Sequence, residues 1–188
     1  MAGEDAAFVE RARAGDREAF RFLVERHGRN VYRLAYRITG NQGDAEDVAQ
    51  EAFLKAYRSL DRFESRSNFS TWIYRIASNC AYDQLRARAR RPEDPIEGEQ
   101  GPLPIESEGA SPERLAAGAD LRRQLTAAMR RLTPAERTAF VLRHHEGRSI
   151  AEIGAALGLD TSAAKHSVFR AVRKLRAALQ PLAQEALG

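Results

Sequence analysis

The chain has 188 residues, 43% of them hydrophobic and 30% charged, with a net charge of +4, one cysteine and one tryptophan. That length holds one domain or two small ones. No run approaches the roughly 18 consecutive apolar residues of a membrane span, and the polar, acidic start "MAGEDAAFVERARAGD" is unlike a signal peptide, so the expectation is a cytoplasmic protein without membrane insertion. A lone Cys80 forms no internal disulfide and no cysteine-based zinc site, which agrees with a reducing compartment.

Charge divides the chain more informatively than its total does. Lys and Arg against Asp and Glu number 17 and 13 over residues 1–91, 0 and 7 over 92–113, and 13 and 6 over 114–188. Two basic ends suggest polyanion binding, and an acidic middle suits a segment that avoids or imitates the polyanion.

In chain order, "DREAFRFLVERHGRNVYRLAYRIT" repeats apolar residues at Phe20, Leu23, Val24, Val31, Leu34, Ala35 and Ile38 with helical spacing, and a break is expected around Gly28. "NQGD" supplies a turn, with Asp44 as the expected N-cap of the next helix. On "DAEDVAQEAFLKAYRSL", Ala45, Val48, Ala49, Ala52, Phe53, Ala56 and Leu60 form one side. Asp47, Gln50, Glu51, Leu54 and Arg58 form the other. An exposed leucine in a polar and charged rim is either an ordinary surface residue or the centre of a protein-docking patch, and the pattern leaves both open.

"NFSTWIYRIASNCAYDQLR" is a helix with unlike faces. Phe69, Ile73, Ile76, Ala77 and Cys80 read as its core side. Thr71, Arg75, Ser78, Asn79, Tyr82 and Arg86 read as the opposite side, with Trp72 on the edge. Rings to stack bases, an amide to read a base edge and arginines for phosphate suit an unstacked single strand. The same rings could also pack on the preceding helix.

Residues 92–113, "PEDPIEGEQGPLPIESEGASPE", hold five of the seven prolines and no aromatic residue, and read as a flexible acidic Pro/Gly-rich linker. Its 22 residues would span about 25 Å on average and roughly 70 Å fully extended. Beyond it come "DLRRQLTAAMRRL" and "TPAERTAFVLRHHEG", the latter with Thr133 as N-cap, Pro134 at the first helical position and Gly147 as stop.

The most specific short signal is "SIAEIGAALGLDTSAAKHSVFRAVRKLR". A helix from Ser149 to Leu157, a turn at Gly158, Leu159 as apolar plug and a second helix capped by Asp160 or Thr161 make a helix-turn-helix. Ile150, Ile153 and Leu157 line the first helix, and Ala164, Val168, Ala171 and Leu175 the second. Lys165, His166, Phe169, Arg170 and Arg173 face outward, with cations for phosphate or guanine and a ring for a thymine methyl. The fold expected is therefore all-α, two small helical domains (1–91 and 114–188) joined by the linker, the C-terminal one a helix-turn-helix.

Together, "DAEDVAQEAFLKAYRSLDRF", "SNFSTWIYRIASNCAYDQLR" and "LTPAERTAFVLRHHEGRSIAEIGAALGLDTSAAKHSVFRAVRKLR" resemble the extracytoplasmic-function (ECF) sigma factors of bacterial RNA polymerase, over nearly the whole chain. The resemblance implies a sigma-70 family factor that joins core RNA polymerase and directs promoter-specific initiation. The patch Asp47, Gln50, Glu51, Leu54 and Arg58 would dock on the beta-prime clamp helices, and the C-terminal domain would meet the beta flap. Phe63, Ser67, Asn68, Trp72, Arg75 and Asn79 would surround a flipped minus-ten base, with Asn79 at the base-reading asparagine. Lys165, His166, Phe169, Arg170 and Arg173 would read the minus-thirty-five element as duplex, and the linker would run toward the RNA exit path. An anti-sigma protein is a partner common in the family. Ala164 and Ser167 depart from the family pattern, which usually has a larger aliphatic and often a basic residue there.

No cofactor, metal or enzymatic activity is expected. His144 and His145 are adjacent and do not share a helix face, and neither a phosphate loop nor a nucleophilic triad pattern occurs. The rival reading is a DNA-binding regulator with an N-terminal sensor, against which stands the lack of a receiver-like strand pattern in the N-terminal half.

Overall fold

The structure, a computed structural model, describes residues 2–63, 68–90 and 123–185. The predicted linker 92–113 and Ser67 lie outside the described residues. The chain divides into two compact units, Met1–Gly98 and Glu99–Gly188, and every regular element among the described residues is helical.

The first unit contains α1 (Ala2–Arg13), α2 (Arg17–Thr39), α3 (Gln42–Arg58), a 3-10 turn (Leu60–Arg62) and α4 (Phe69–Ala89). Its core is the meeting of α2, α3 and α4: Leu23, Val31, Leu34 and Ile38 from the first, Ala45, Val48, Ala52 and Ala56 from the second, Phe69, Ile73, Ala77 and Cys80 from the third. Helix α1 closes this bundle with Val9 and Ala12. It is pinned by a buried polar contact, His27 Nε2 lying 3.0 Å from Asp5 Oδ2.

Two local expectations are corrected. Helix α2 runs unbroken through Gly28 to a left-handed Gly40 (φ 69°). An interior glycine costs a helix only about 1 kcal/mol, and burial of Leu23, His27, Val31 and Leu34 on either side of it outweighs that. The N-cap of α3 is Asn41, not Asp44, because the Asn41 amide oxygen accepts the Asp44 N–H at 2.9 Å. Asp44 turns instead to α4, where it accepts from Gln84 at 3.3 Å and pairs with Arg88.

Helix α4 also buries a wider sector than its apolar pattern indicates. Ser78, assigned to the polar side, is 1% exposed, and Ile76 is only half-buried. The serine hydroxyl is satisfied locally by donating to the Tyr74 carbonyl at 2.7 Å, so a polar position can enter the core.

The second unit contains α5 (123–130), α6 (Pro134–His144), α7 (Ile150–Leu157) and α8 (Thr161–Glu185). Both α6 and α7 open with a capping box, Thr133 with Glu136 and Ser149 with Glu152, in which each side chain satisfies the other's backbone N–H. Helix α7 ends on left-handed Gly158 (φ 63°), and α8 begins under Asp160, whose carboxylate accepts the Ala163 N–H at 2.8 Å. That contact settles the cap left open between Asp160 and Thr161. Ala128, Leu132, Ala171 and Leu175 form a core between α5 and α8, while Ile153, Leu157 and Ala164 are buried at the α7–α8 crossing. Ile150 and Val168, placed on the buried stripes by their spacing, are half-buried.

That crossing explains the small residue at position 164. A Cβ built on Gly154 would stand 3.7 Å from Ala164 Cβ and only 2.8 Å from the Leu159 carbonyl oxygen. The helices approach closely because both positions are small. Gly154→Ala should therefore destabilise this unit by about 1–3 kcal/mol despite the better helix propensity of alanine; thermal unfolding of the variant is the check, and an unchanged or raised melting temperature would contradict the close approach.

Candidate docking and nucleic-acid surfaces

Helix α3 turns its small residues inward, and this fixes what it shows outward. Asp47, Gln50, Leu54 and Arg58 are exposed and Glu51 half-buried, with Leu54 at 51% exposure. Asp47, Gln50, Glu51 and Leu54 share one wall of a groove of about 480 Å³ whose other wall is α4. Arg58 opens instead onto a neighbouring groove of about 540 Å³ with Arg62, Ile76 and Asn79. The structure thus brings four of the five predicted patch residues together and puts the fifth beside Asn79.

Lys55, Cys80 and Asp83 line both grooves, and sequence reasoning assigned none of them to a site. Burial pushes the Cys80 thiol up, by more than the neighbouring Lys55 ammonium at 3.6 Å pulls it down, so the sulfur is a protonated floor rather than a thiolate. Lys55 also pairs with Glu51 at 3.3 Å, one helical turn away.

Along α4 the predicted residues fall on one stripe. Asn68, Trp72, Arg75 and Asn79 succeed one another at spacings of three and four, and Tyr82 and Arg86 continue the series. Asn68 is exposed at the helix N-cap and its side chain makes no capping bond. Trp72 is half-buried in an aromatic cluster, 5.0 Å from the Phe63 ring and 5.8 Å from Phe69. Phe63 itself is 5% exposed and also meets Phe69 at 6.1 Å. It backs Trp72 from inside rather than offering a free face. Arg75 is exposed and Asn79 half-buried, and Asn79 lies about 10 Å along the axis from Trp72. The 3-10 turn that leads to this face is held from behind, Arg13 donating to the Asp61 carbonyl at 3.1 Å.

On α8, Lys165, His166, Phe169, Arg170 and Arg173 are all exposed on one face, Phe169 at 63%. At that exposure the ring does not serve as a cover for a neighbouring helix. Ser167 faces inward at 4% exposure and donates to the Ala163 carbonyl at 2.9 Å, so this departure from the family pattern is a core position here. Among the described residues no helix is long and apolar enough to cross a membrane.

Two helical units, the second a helix-turn-helix with a basic outer face, define a DNA-binding transcription factor. The family model of Sigma-70 region 2 matches residues 23–91, and that of Sigma-70, region 4 matches 122–175. The RNA polymerase sigma-H factor of Pseudomonas aeruginosa is 37% identical over 192 residues, 97% of each chain. The ECF RNA polymerase sigma-E factor of Escherichia coli K12 is 39% identical over 187 residues, 95% of each. Among solved structures, CnrH in complex with the cytosolic domain of CnrY aligns over 94% of this chain and 97% of its own, with a TM-score of 0.62 and 26% identity. The sigma factor RpoE of Bartonella quintana, in complex with the anti-sigma factor NepR, shares the fold over 86% of this chain and 96% of its own, with a TM-score of 0.64 and 24% identity. The chain belongs to the sigma-70 family, in its ECF group. It is a transcription initiation factor that binds core RNA polymerase and promoter DNA and directs promoter-specific transcription.

Proposed function

We propose that the two units divide promoter recognition, with residues 1–91 docking on core polymerase and holding the minus-ten element as a flipped single strand, and residues 114–188 reading the minus-thirty-five element as duplex. The α3 face around Leu54 meets the beta-prime clamp helices. Asn79 reads the flipped base by the donor and acceptor of its amide, with Arg75 toward the phosphates and Trp72, backed by Phe63, at the edge; Asn68, at the N-cap of α4, and Ser67 supply further polar groups. Lys165, His166, Phe169, Arg170 and Arg173 enter the major groove, and the second unit meets the beta flap. Residues 92–113 are the tether, whose acidity suits a basic channel toward the RNA exit path. The factor works where the polymerase is, in the cytoplasm.

The observation that carries this reading is the placement of Asn79. It opens onto a groove with Arg58 and Arg62, directly beside the groove that carries the docking residues, so an amide that can read a base stands among cations that can hold its phosphates. An anti-sigma protein is a further proposed partner, because the B. quintana relative is held by one and the exposed α3 face is a surface such a protein would cover.

Transcription with core polymerase on a fragment library of the host genome tests the whole reading and reveals the promoter at once. A protein that binds duplex DNA alone and never core polymerase would refute it. Arg170→Ala should weaken minus-thirty-five duplex binding by about 1–3 kcal/mol, the worth of a bidentate base contact, measured by titration of labelled duplex. Loss of single-strand binding alone would reverse the assignment of the two units.

A further inference from the structure

Glu136 does more than close the capping box of α6. Its side chain is 5% exposed. One oxygen, Oε2, accepts the Thr133 N–H at 3.0 Å and the Lys174 ammonium at 2.7 Å, and Oε1 lies 4.0 Å from Arg170 Nε. Arg170 and Lys174 stand one turn apart on α8, next to Arg173. The buried carboxylate of α6 is therefore aimed at the cations of the DNA face.

A capping box does not need that charge, since glutamine serves at the same position. A charged acid in this place has another effect. Burial pushes the Glu136 carboxyl up, but the hydrogen bonds from Lys174 and Thr133 outweigh it and hold the group below the usual carboxylate range, so it stays ionised. An ionised partner at 2.7 Å largely cancels the Lys174 charge and anchors its long side chain against α6.

We propose that Glu136 sets the specificity of the duplex-binding face, withholding Lys174 from DNA phosphates and steadying the Arg170 guanidinium from behind. The inference rests on α8 being the duplex-binding helix. Lysine–phosphate contacts add affinity for any sequence, and each adds about 0.9 to the slope of log K against log salt. A face that reads bases gains discrimination when a lysine at its edge is kept out of that non-specific term. Glu136 accordingly acts through Lys174 and Arg170 and is a positioning residue.

The test is salt-dependent binding of the full chain to a random-sequence duplex, followed by anisotropy. Glu136→Gln keeps the cap and should bind the random duplex more tightly at low salt, with a slope steeper by about 0.9, an extra loss of about 3.5-fold between 50 and 200 mM salt. Lys174→Ala, checked by a thermal melt because it leaves the Glu136 carboxylate short of a partner, should leave the slope of the parent chain unaltered and should abolish the extra slope in the Glu136→Gln background. If Lys174→Ala alone lowers the slope by about one, Lys174 already holds a phosphate and the proposal is wrong. An unchanged slope in Glu136→Gln would also overturn it. A parent chain whose random-duplex affinity ignores salt, or whose slope is untouched by Arg170→Ala and Arg173→Ala, would instead remove α8 from the DNA and with it the premise.

Discussion

Leu54→Glu should lower affinity for core polymerase by about 2 kcal/mol or more, roughly 30-fold, the scale of a central interface residue. Leu54 is 51% exposed on α3, on one groove wall with Asp47, Gln50 and Glu51. The substitution removes the apolar centre of that patch and sets a third carboxylate within two turns of Asp47 and Glu51. In the complex such a charge is desolvated at the centre of the contact, with only Arg58 one turn away to offset it, which is costly. In the free protein it faces water, so stability should change by no more than about 0.5 kcal/mol. Titration of labelled core polymerase alongside a thermal melt separates the two. An unchanged affinity would move the docking face elsewhere on the unit.

The grooves make this test selective. Leu54 lines only the first and Asn79 only the second, whereas Lys55, Cys80 and Asp83 line both. Substituting a shared residue would disturb docking and base reading together and could not apportion them. The sequence pattern alone could not show this, because the sharing depends on how α3 and α4 lie against each other.

What was legible in the sequence is what the chain decides locally. The Thr133 cap of α6 and the turn at Gly158 each close within four residues and formed as read, and Asp160 took the cap left open between it and Thr161; the glutamates that complete the boxes of Thr133 and Ser149 were not read. The misreadings were decided by distant or competing partners. Gly28 does not break α2, because the residues around it pack against the rest of the bundle. Asp44 lost its cap to Asn41 and found Arg88 across the bundle instead. Ser78 entered the core by bonding to its own helix. At the candidate sites, spacing put Arg75, Asn79, Tyr82 and Arg86 on one side of α4 with Trp72 at its edge, while Asn68 entered only through the family resemblance. Spacing could not give the burial of Phe63, which depends on its ring packing against Phe69 and Trp72 of α4, nor the reach of Glu136 to α8, which joins residues 38 apart.

Asn79→Ala should cost promoter opening about 1–3 kcal/mol, roughly 5- to 150-fold, while leaving core affinity unchanged. The amide offers a donor pair and an acceptor in one plane, which a base edge can match in a single orientation, and alanine offers neither. The side chain is half-buried in the groove wall and already interacts within the protein, so part of any loss could come from a loosened α4. Asn79→Asp separates these contributions. It keeps the shape and the acceptor, loses the donors, and brings a negative charge toward phosphates beside Arg58 and Arg62. If Asn79 reads a base, the aspartate should open the promoter no better than alanine even where its melting temperature matches the parent. If Asn79 only buttresses α4, opening should follow stability, and the better-folded variant should recover. Opening is followed by a fluorescent base placed in the minus-ten element of the mapped promoter, and parent-like opening by the alanine variant would take Asn79 out of the pocket.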